Sequence, residues 1–211
     1  MFNRIKALFT KKTEERQLEK AVFGTLLGAS LLALTAAFVL TLEKIHLLQQ
    51  PDAVLSCTFN LVLNCSTVMQ SWQSTVFFGI PNMVIGLMAF AVIVTVSVAG
   101  LWGVKFPRTF LIATNVGVLL GTIFAYWLFF NSVYDIQVLC PWCLLVTFSC
   151  TLMLAAITHY NLKLNNFKLS KKVNEKVQKF LKGGYHQLVV ASWIVLMFVL
   201  VYLKFGSDLF A

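Results

Sequence analysis

Leu139-Cys140-Pro141-Trp142-Cys143-Leu144 sets a Cys-x-x-Cys at the opening of an apolar run of helix length. The run continues to about residue 158, so the stretch reads as a membrane helix that begins with a dithiol. Pro141 suits a first helical turn, where its missing N–H is not needed. At that end the unpaired N–H groups and the helix dipole favour a thiolate, at Cys140 in particular. A thiol of lowered pKa is an effective partner in disulfide exchange.

The rest of the chain is as apolar as this helix requires. Its 211 residues are 59% hydrophobic and 12% charged, with a mean hydropathy of +0.81. Soluble domains carry about 25% charged residues. There is too little polar surface here to cover a water-soluble globule, and the bilayer is the expected solvent. The net charge of +9 comes from a few polar segments between apolar runs. No basic-aromatic domain is left once the helices are removed, which argues against nucleic-acid binding.

Residues 1–20 form a polar, basic leader, and residues 21–42 the first apolar run. These 22 residues rise roughly 33 Å as a helix, enough to cross a hydrocarbon core of about 30 Å and too long for a cleaved signal peptide. Residues 43–79 form a loop that holds Cys57 and Cys65. Within it Val68, Met69 and Trp72 fall at helical spacing, which fits either a short interfacial helix or a plain loop. Further helices are expected over about 81–101, 109–130 and 140–158, making residues 21–158 a four-helix domain. A lysine-rich segment follows at 159–187, then a fifth span at 188–204, anchored by Tyr202 and Lys204, and a tail at 205–211. The fold class is thus an all-α polytopic membrane bundle with a fifth transmembrane helix.

This order places fifteen basic residues on the leader's side of the membrane and two on the other. The bias puts the leader in the cytoplasm and the C-terminus outside. Both cysteine pairs then face outward, where disulfides form and persist.

Two dithiols on one membrane face, one in a flexible loop and one at a helix mouth, point to a relay. Electrons would enter the loop pair from a soluble dithiol and pass to the helix pair. They then need a two-electron acceptor soluble in lipid, and a quinone is the obvious candidate, since no haem, flavin or iron–sulfur motif is present. A static disulfide or a zinc site built from both pairs is the rival reading, that of a membrane scaffold. Cys150, within the fourth helix, reads as packing. His46, His159 and His186 read as interfacial polar residues, and Asp135 as a solvated loop acid. Asn64-Cys65-Ser66 is formally a glycosylation sequon, discounted because a glycan would obstruct exchange at Cys65.

Cys57-x7-Cys65, then Phe78-Gly79-Ile80-Pro81-Asn82-Met83-Val84-Ile85-Gly86, then Leu139-Cys-Pro-Trp-Cys143 resembles the vitamin K epoxide reductase family, in its bacterial branch that oxidises protein thiols. The likeness covers roughly residues 20–160. The disulfide bond formation protein B family places its Cys-x-x-Cys before the wide pair, the reverse of this chain. The resemblance implies a bundle around a quinone, ubiquinone or menaquinone, and residue roles follow from it. Cys143 would face the quinone ring, and Cys140 would exchange with the loop. Cys65 would hand electrons to Cys140, and Cys57 would meet the soluble partner. Asn82 would hydrogen-bond a quinone oxygen, and Ser71 matches a loop serine of the family.

The chain departs from the family's animal enzymes after Cys143, where Leu-Leu-Val-Thr147 lacks their tyrosine. Reduction of vitamin K quinone or epoxide is the enzymatic alternative. Many bacterial members carry a fused thioredoxin-fold domain after the fifth helix. None follows here, so the expected partner is a separate extracytoplasmic thioredoxin-fold protein. The expected location is a bacterial inner membrane, ahead of the endoplasmic reticulum.

Overall fold

The computed structural model describes residues 2–51 and 54–206, with side chains at residue 13 and from residue 15 onward. Among these residues there are seven α-helices and no strand: α1 (Phe2–Gln49), α2 (Cys65–Gln70), α3 (Asn82–Leu101), α4 (Arg108–Asn131), α5 (Pro141–Lys163), α6 (Lys171–Lys182) and α7 (Tyr185–Phe205). A 3-10 turn follows α2 at Trp72–Thr75, and a π-helical turn extends α4 over Ser132–Ile136. Among the described residues, five segments are long and apolar enough to cross a membrane: Glu15–Gln49, Asn82–Leu101, Arg108–Ile136, Pro141–Lys163 and Tyr185–Phe205. The chain is an all-α, multi-pass integral membrane protein.

α1 is the central post, packing chiefly on α3 and α5, while α4 packs on α5. Val22, Leu26, Ala29, Ala33, Ala36 and Leu40 are buried along it, three or four residues apart, and Leu47 is buried two turns further on. The small residues in this stripe let neighbouring backbones approach, the usual basis of helix association in lipid. Phe23 locks the end away from the cysteines. A Cβ on Gly100 of α3 would lie 2.4 Å from its ring, which also meets Tyr160 edge-on at 5.4 Å.

Polar side chains tie the other seams. Asn115 donates to Thr158 (2.8 Å), and Thr122 reaches the Cys150 carbonyl (3.3 Å), both across α4 and α5. α7 attaches through Trp193, whose indole donates to the Tyr126 hydroxyl (2.7 Å), and through a 2.9 Å contact between His159 and His186. These histidines thus pair with each other rather than standing separately at the interface.

Two elements, α1 at both of its ends and α6, differ from the sequence expectation. α1 runs back through the leader, because residues 2–20 hold good helix formers and neither Gly nor Pro. It also runs seven residues beyond 42, stopping before Gln50-Pro51, so the loop begins at Gln50 rather than 43. The lysine-rich segment contains α6, which turns Asn174, Val177, Gln178 and Leu181 inward and its lysines outward. Gln178 fastens it by donating to the Leu162 carbonyl (2.9 Å).

Candidate redox site

Helix direction brings both cysteine pairs to one end of the bundle. α1 leads into the loop of Cys57 and Cys65, and α4 leads into the turn before Cys140. The π-helical turn ends at Gln137 in the left-handed region (φ 57°), which redirects the chain toward Leu139.

Leu63 and Leu139 form an isolated parallel bridge. Leu139 N–H donates to the Val62 carbonyl (2.7 Å), and Asn64 N–H donates to the Leu139 carbonyl (3.0 Å). This pairing fixes the register of the following residues, Cys65 and Cys140. Asn64 then caps α2, its side chain accepting from Thr67 N–H (3.3 Å), and so starts a helix at Cys65. Lys44 of α1 and Ser74 both donate to the Met69 carbonyl at 2.7 Å, holding the far end of that short helix. Of the two alternatives for this stretch, the short helix rather than the plain loop is the one seen, with Met69 buried in it and Trp72, in the 3-10 turn that follows, exposed.

Cys57 and Cys65 are joined in a disulfide, while Cys140, Cys143 and Cys150 are free thiols. The Cys65 and Cys140 sulfurs lie 3.4 Å apart, a van der Waals contact between two residues 75 apart in sequence. Cys140 occupies the N-cap of α5, with Pro141 next, and its sulfur accepts from Cys143 N–H (3.3 Å). The Cys143 thiol donates to it as well. That bond, with the backbone N–H groups of Cys143 and Trp142, holds the Cys140 thiol below its ordinary value against the opposing effect of burial.

The loop pair is not open to solvent. Cys57, Cys65 and Cys140 are each at most 2% exposed, packed among Leu40, Leu47, Leu55 and Met69. Ser56 bonds to Glu43 of α1 through both its N–H and its hydroxyl, and the Leu63 bridge pins the other side. A flexible loop that presents Cys57 to a partner is therefore not the conformation seen. The disulfide, the bridge and the leucine cover together hold it down.

Beneath the cysteines, α1, α3, α4 and α5 enclose an apolar cavity of about 220 Å³, capped by α2 and the 3-10 turn. Cys140 and Cys143 form part of its wall, as do Ser71, Asn82 and, deeper along α5, Thr147 and the buried Cys150. Ser71 uses its hydroxyl hydrogen on the Val68 carbonyl (2.7 Å), closing α2. Asn82 donates to the backbone carbonyl of Gln73 (2.7 Å), and its own Oδ1 is buried without a partner.

Gln73 has no counterpart in the sequence reading. It also lines the cavity, is only 3% exposed, and donates from Nε2 to Asp135 (2.6 Å), leaving Oε1 buried and unpartnered. Asp135 is exposed, yet it anchors this buried amide rather than standing free as a solvated acid. A glutamine in a polar loop carries no local mark of burial; only the approach of the turn before Cys140 creates one.

No group of three or more His, Cys, Asp and Glu among the described residues is arranged to hold a metal ion. A search among curated proteins returns no match. Residues 25–158, which take in both cysteine pairs and the helices around the cavity, match the vitamin K epoxide reductase family, and the chain belongs to that family of membrane redox enzymes.

Proposed function

We propose that this oxidoreductase draws electrons from a separate extracytoplasmic thioredoxin-fold dithiol and delivers them through its two cysteine pairs to a quinone in the cavity. The observation that carries this reading is the 3.4 Å contact between Cys65 and Cys140, in a structure where Cys140 and Cys143 also line the cavity. Sulfur atoms thus run from the loop to an apolar chamber without a gap.

The exchange steps balance as follows. Once the loop lifts to expose the buried Cys57, a partner thiolate attacks it, forming a mixed disulfide and releasing Cys65 as thiolate. Cys65 attacks Cys140 of an oxidised Cys140–Cys143 pair, and Cys143 leaves as thiolate. The partner's second thiol frees Cys57 and departs as a disulfide. Cys57 then attacks Cys65, and Cys140 leaves. The loop disulfide is restored, and two electrons rest on Cys140 and Cys143, which is the thiol state of this structure. Hydrogen bonds to Cys140 make it the better leaving group in that last step.

The cavity fits a quinone ring. Its volume of about 220 Å³ exceeds the roughly 150 Å³ of an apolar cavity known to admit benzene. Its buried amides, Asn82 and Gln73, supply polar contacts in a mostly apolar wall. A quinone bound there would accept two electrons and two protons as Cys140 and Cys143 return to the disulfide. Asn82 keeps one N–H for such a ring after its bond to Gln73.

The charge bias supports an orientation with the cysteine end outside, and the reading places the chain in a bacterial inner membrane, on whose outer side exported proteins acquire disulfides. Thr147, in place of a tyrosine, favours this over epoxide reduction. The test is anaerobic quinone reduction by purified protein with a reduced thioredoxin-fold donor. Steady turnover is expected in the wild type and none in Cys143→Ala. Absence of turnover with several quinones and donors, in folded protein, refutes the relay.

A further inference from the structure

Resting on the quinone reading of the cavity, we infer that Gln73 contacts the bound ring and selects its reduced form, with Asp135 as the positioning residue that sets the amide's orientation. Three observations lead there. Gln73 is 3% exposed and lines the cavity from its cap, so its amide is withdrawn from the outer surface. Its Nε2 points to the Asp135 carboxylate at 2.6 Å. Its Oε1 has no hydrogen-bond partner.

The amide cannot be read the other way round. A carboxylate only accepts, so the group facing Asp135 must be the NH2, and the orphan must be the carbonyl oxygen. The same logic applies at Asn82. Its NH2 faces the backbone carbonyl of Gln73, and Oδ1 is left over. Two residues that cap the cavity therefore each hold a buried, unpartnered acceptor, its orientation set by the bond the amide nitrogen makes.

Those acceptors distinguish the two redox states of a ring. A quinone presents two carbonyl oxygens, which only accept, so a quinone oxygen against Gln73 Oε1 sets two lone pairs face to face. The hydroquinone presents two hydroxyl donors, and one of them completes the orphan. A buried acceptor left unsatisfied is costly, and satisfying it in one state alone gives differential binding. Tighter binding of the reduced ring makes the bound quinone a stronger oxidant. A tenfold preference corresponds to about 30 mV for a two-electron couple. Gln73 would thus help draw electrons from Cys143, and Asp135, exposed at the rim, would do so only through Gln73.

The test is equilibrium binding of a short-tailed dimethoxybenzoquinone and of its hydroquinone, kept anaerobic. It uses full-length protein carrying Cys143→Ser to prevent electron exchange. In that background Gln73→Met keeps the length of the side chain and removes the acceptor. It is expected to weaken hydroquinone binding about tenfold and to change quinone binding by less than about twofold. Asp135→Ala leaves Gln73 in place but frees its amide to turn, and is expected to lose part of the same preference. Asp135→Asn retains an oxygen for Gln73 Nε2 and should keep it. Equal weakening of both ligands in Gln73→Met would make Gln73 a structural cap and overturn the inference, as would no change in either. Because Asp135 is exposed, its variants decide the matter even if Gln73→Met fails to fold. If the parent binds neither ring, the quinone reading itself falls, and this inference with it.

Discussion

Removing Cys57 and Cys143 together isolates the one contact on which the relay depends. In the Cys57→Ala/Cys143→Ala variant, Cys65 and Cys140 lose their respective partners and face each other at 3.4 Å. A disulfide needs about 2.0 Å, so the sulfurs must close by about 1.4 Å, within the range of a small χ1 adjustment. Mild oxidation should therefore convert nearly all of the folded variant to a Cys65–Cys140 disulfide. The new bond would enclose a loop of 75 residues, in place of the 8-residue loop between Cys57 and Cys65. On the chain-entropy account these closures are worth about 4.5 and 2.5 kcal/mol, so the new bond should stabilise by about 2 kcal/mol more than the one it replaces. Intact-mass spectrometry after alkylation reads the first claim, since both thiols should become unreactive while Cys150 remains. Thermal melts with and without reductant read the second, with the larger shift expected in the variant. Should Cys65 and Cys140 both stay alkylatable under oxidation in folded protein, the contact does not support exchange and the electron path fails at its central step.

Two further outcomes follow from single features. Gly100→Ala should drive a methyl to within 2.4 Å of the Phe23 ring, costing about 1–3 kcal/mol through overpacking. The thermal midpoint in detergent should fall, and Phe23→Leu in the same chain should recover part of the loss; an unchanged midpoint would show that the α1–α3 seam is looser than its geometry. At Cys140, hydrogen bonds depress the thiol pKa, so the thiolate persists below the usual thiol range and its stabilising bonds weaken as pH falls through the folded value. The alkylation rate of Cys140 should accordingly rise with pH at a midpoint below that of an ordinary thiol. Cys143→Ala, which removes the largest contribution, should move that midpoint upward, and a midpoint that stays put would assign the shift elsewhere.

Much of the molecule was legible in local sequence because its determinants are local. Apolar run length alone marks a span, since a helix satisfies its backbone within itself wherever it lies in lipid. The Cys-Pro-x-Cys at a helix start is equally local: Pro141 fits the first turn and Cys140 falls at the N-cap whatever surrounds them. The loop serine and asparagine were found through a family likeness, and both line the cavity. Polar helices were less visible. The leader and α6 carry no long apolar run, so charge composition hid helices that good helix formers and an inward-turned edge of Val177 and Leu181 support.

The amino-acid sequence by itself therefore determined the solvent, the five spans and the gathering of both dithiols at one end of an alternating bundle. The family likeness implied that Cys65 meets Cys140, but the physical cause of that meeting is tertiary, since the backbone bridge from Leu63 to Leu139 joins segments far apart in the chain. The same packing covered Cys57, buried Gln73 and turned Asp135 from a loop acid into an amide anchor. Burial and hydrogen-bond partnership belong to pairs of segments brought together by helix packing, and neither segment carries them alone.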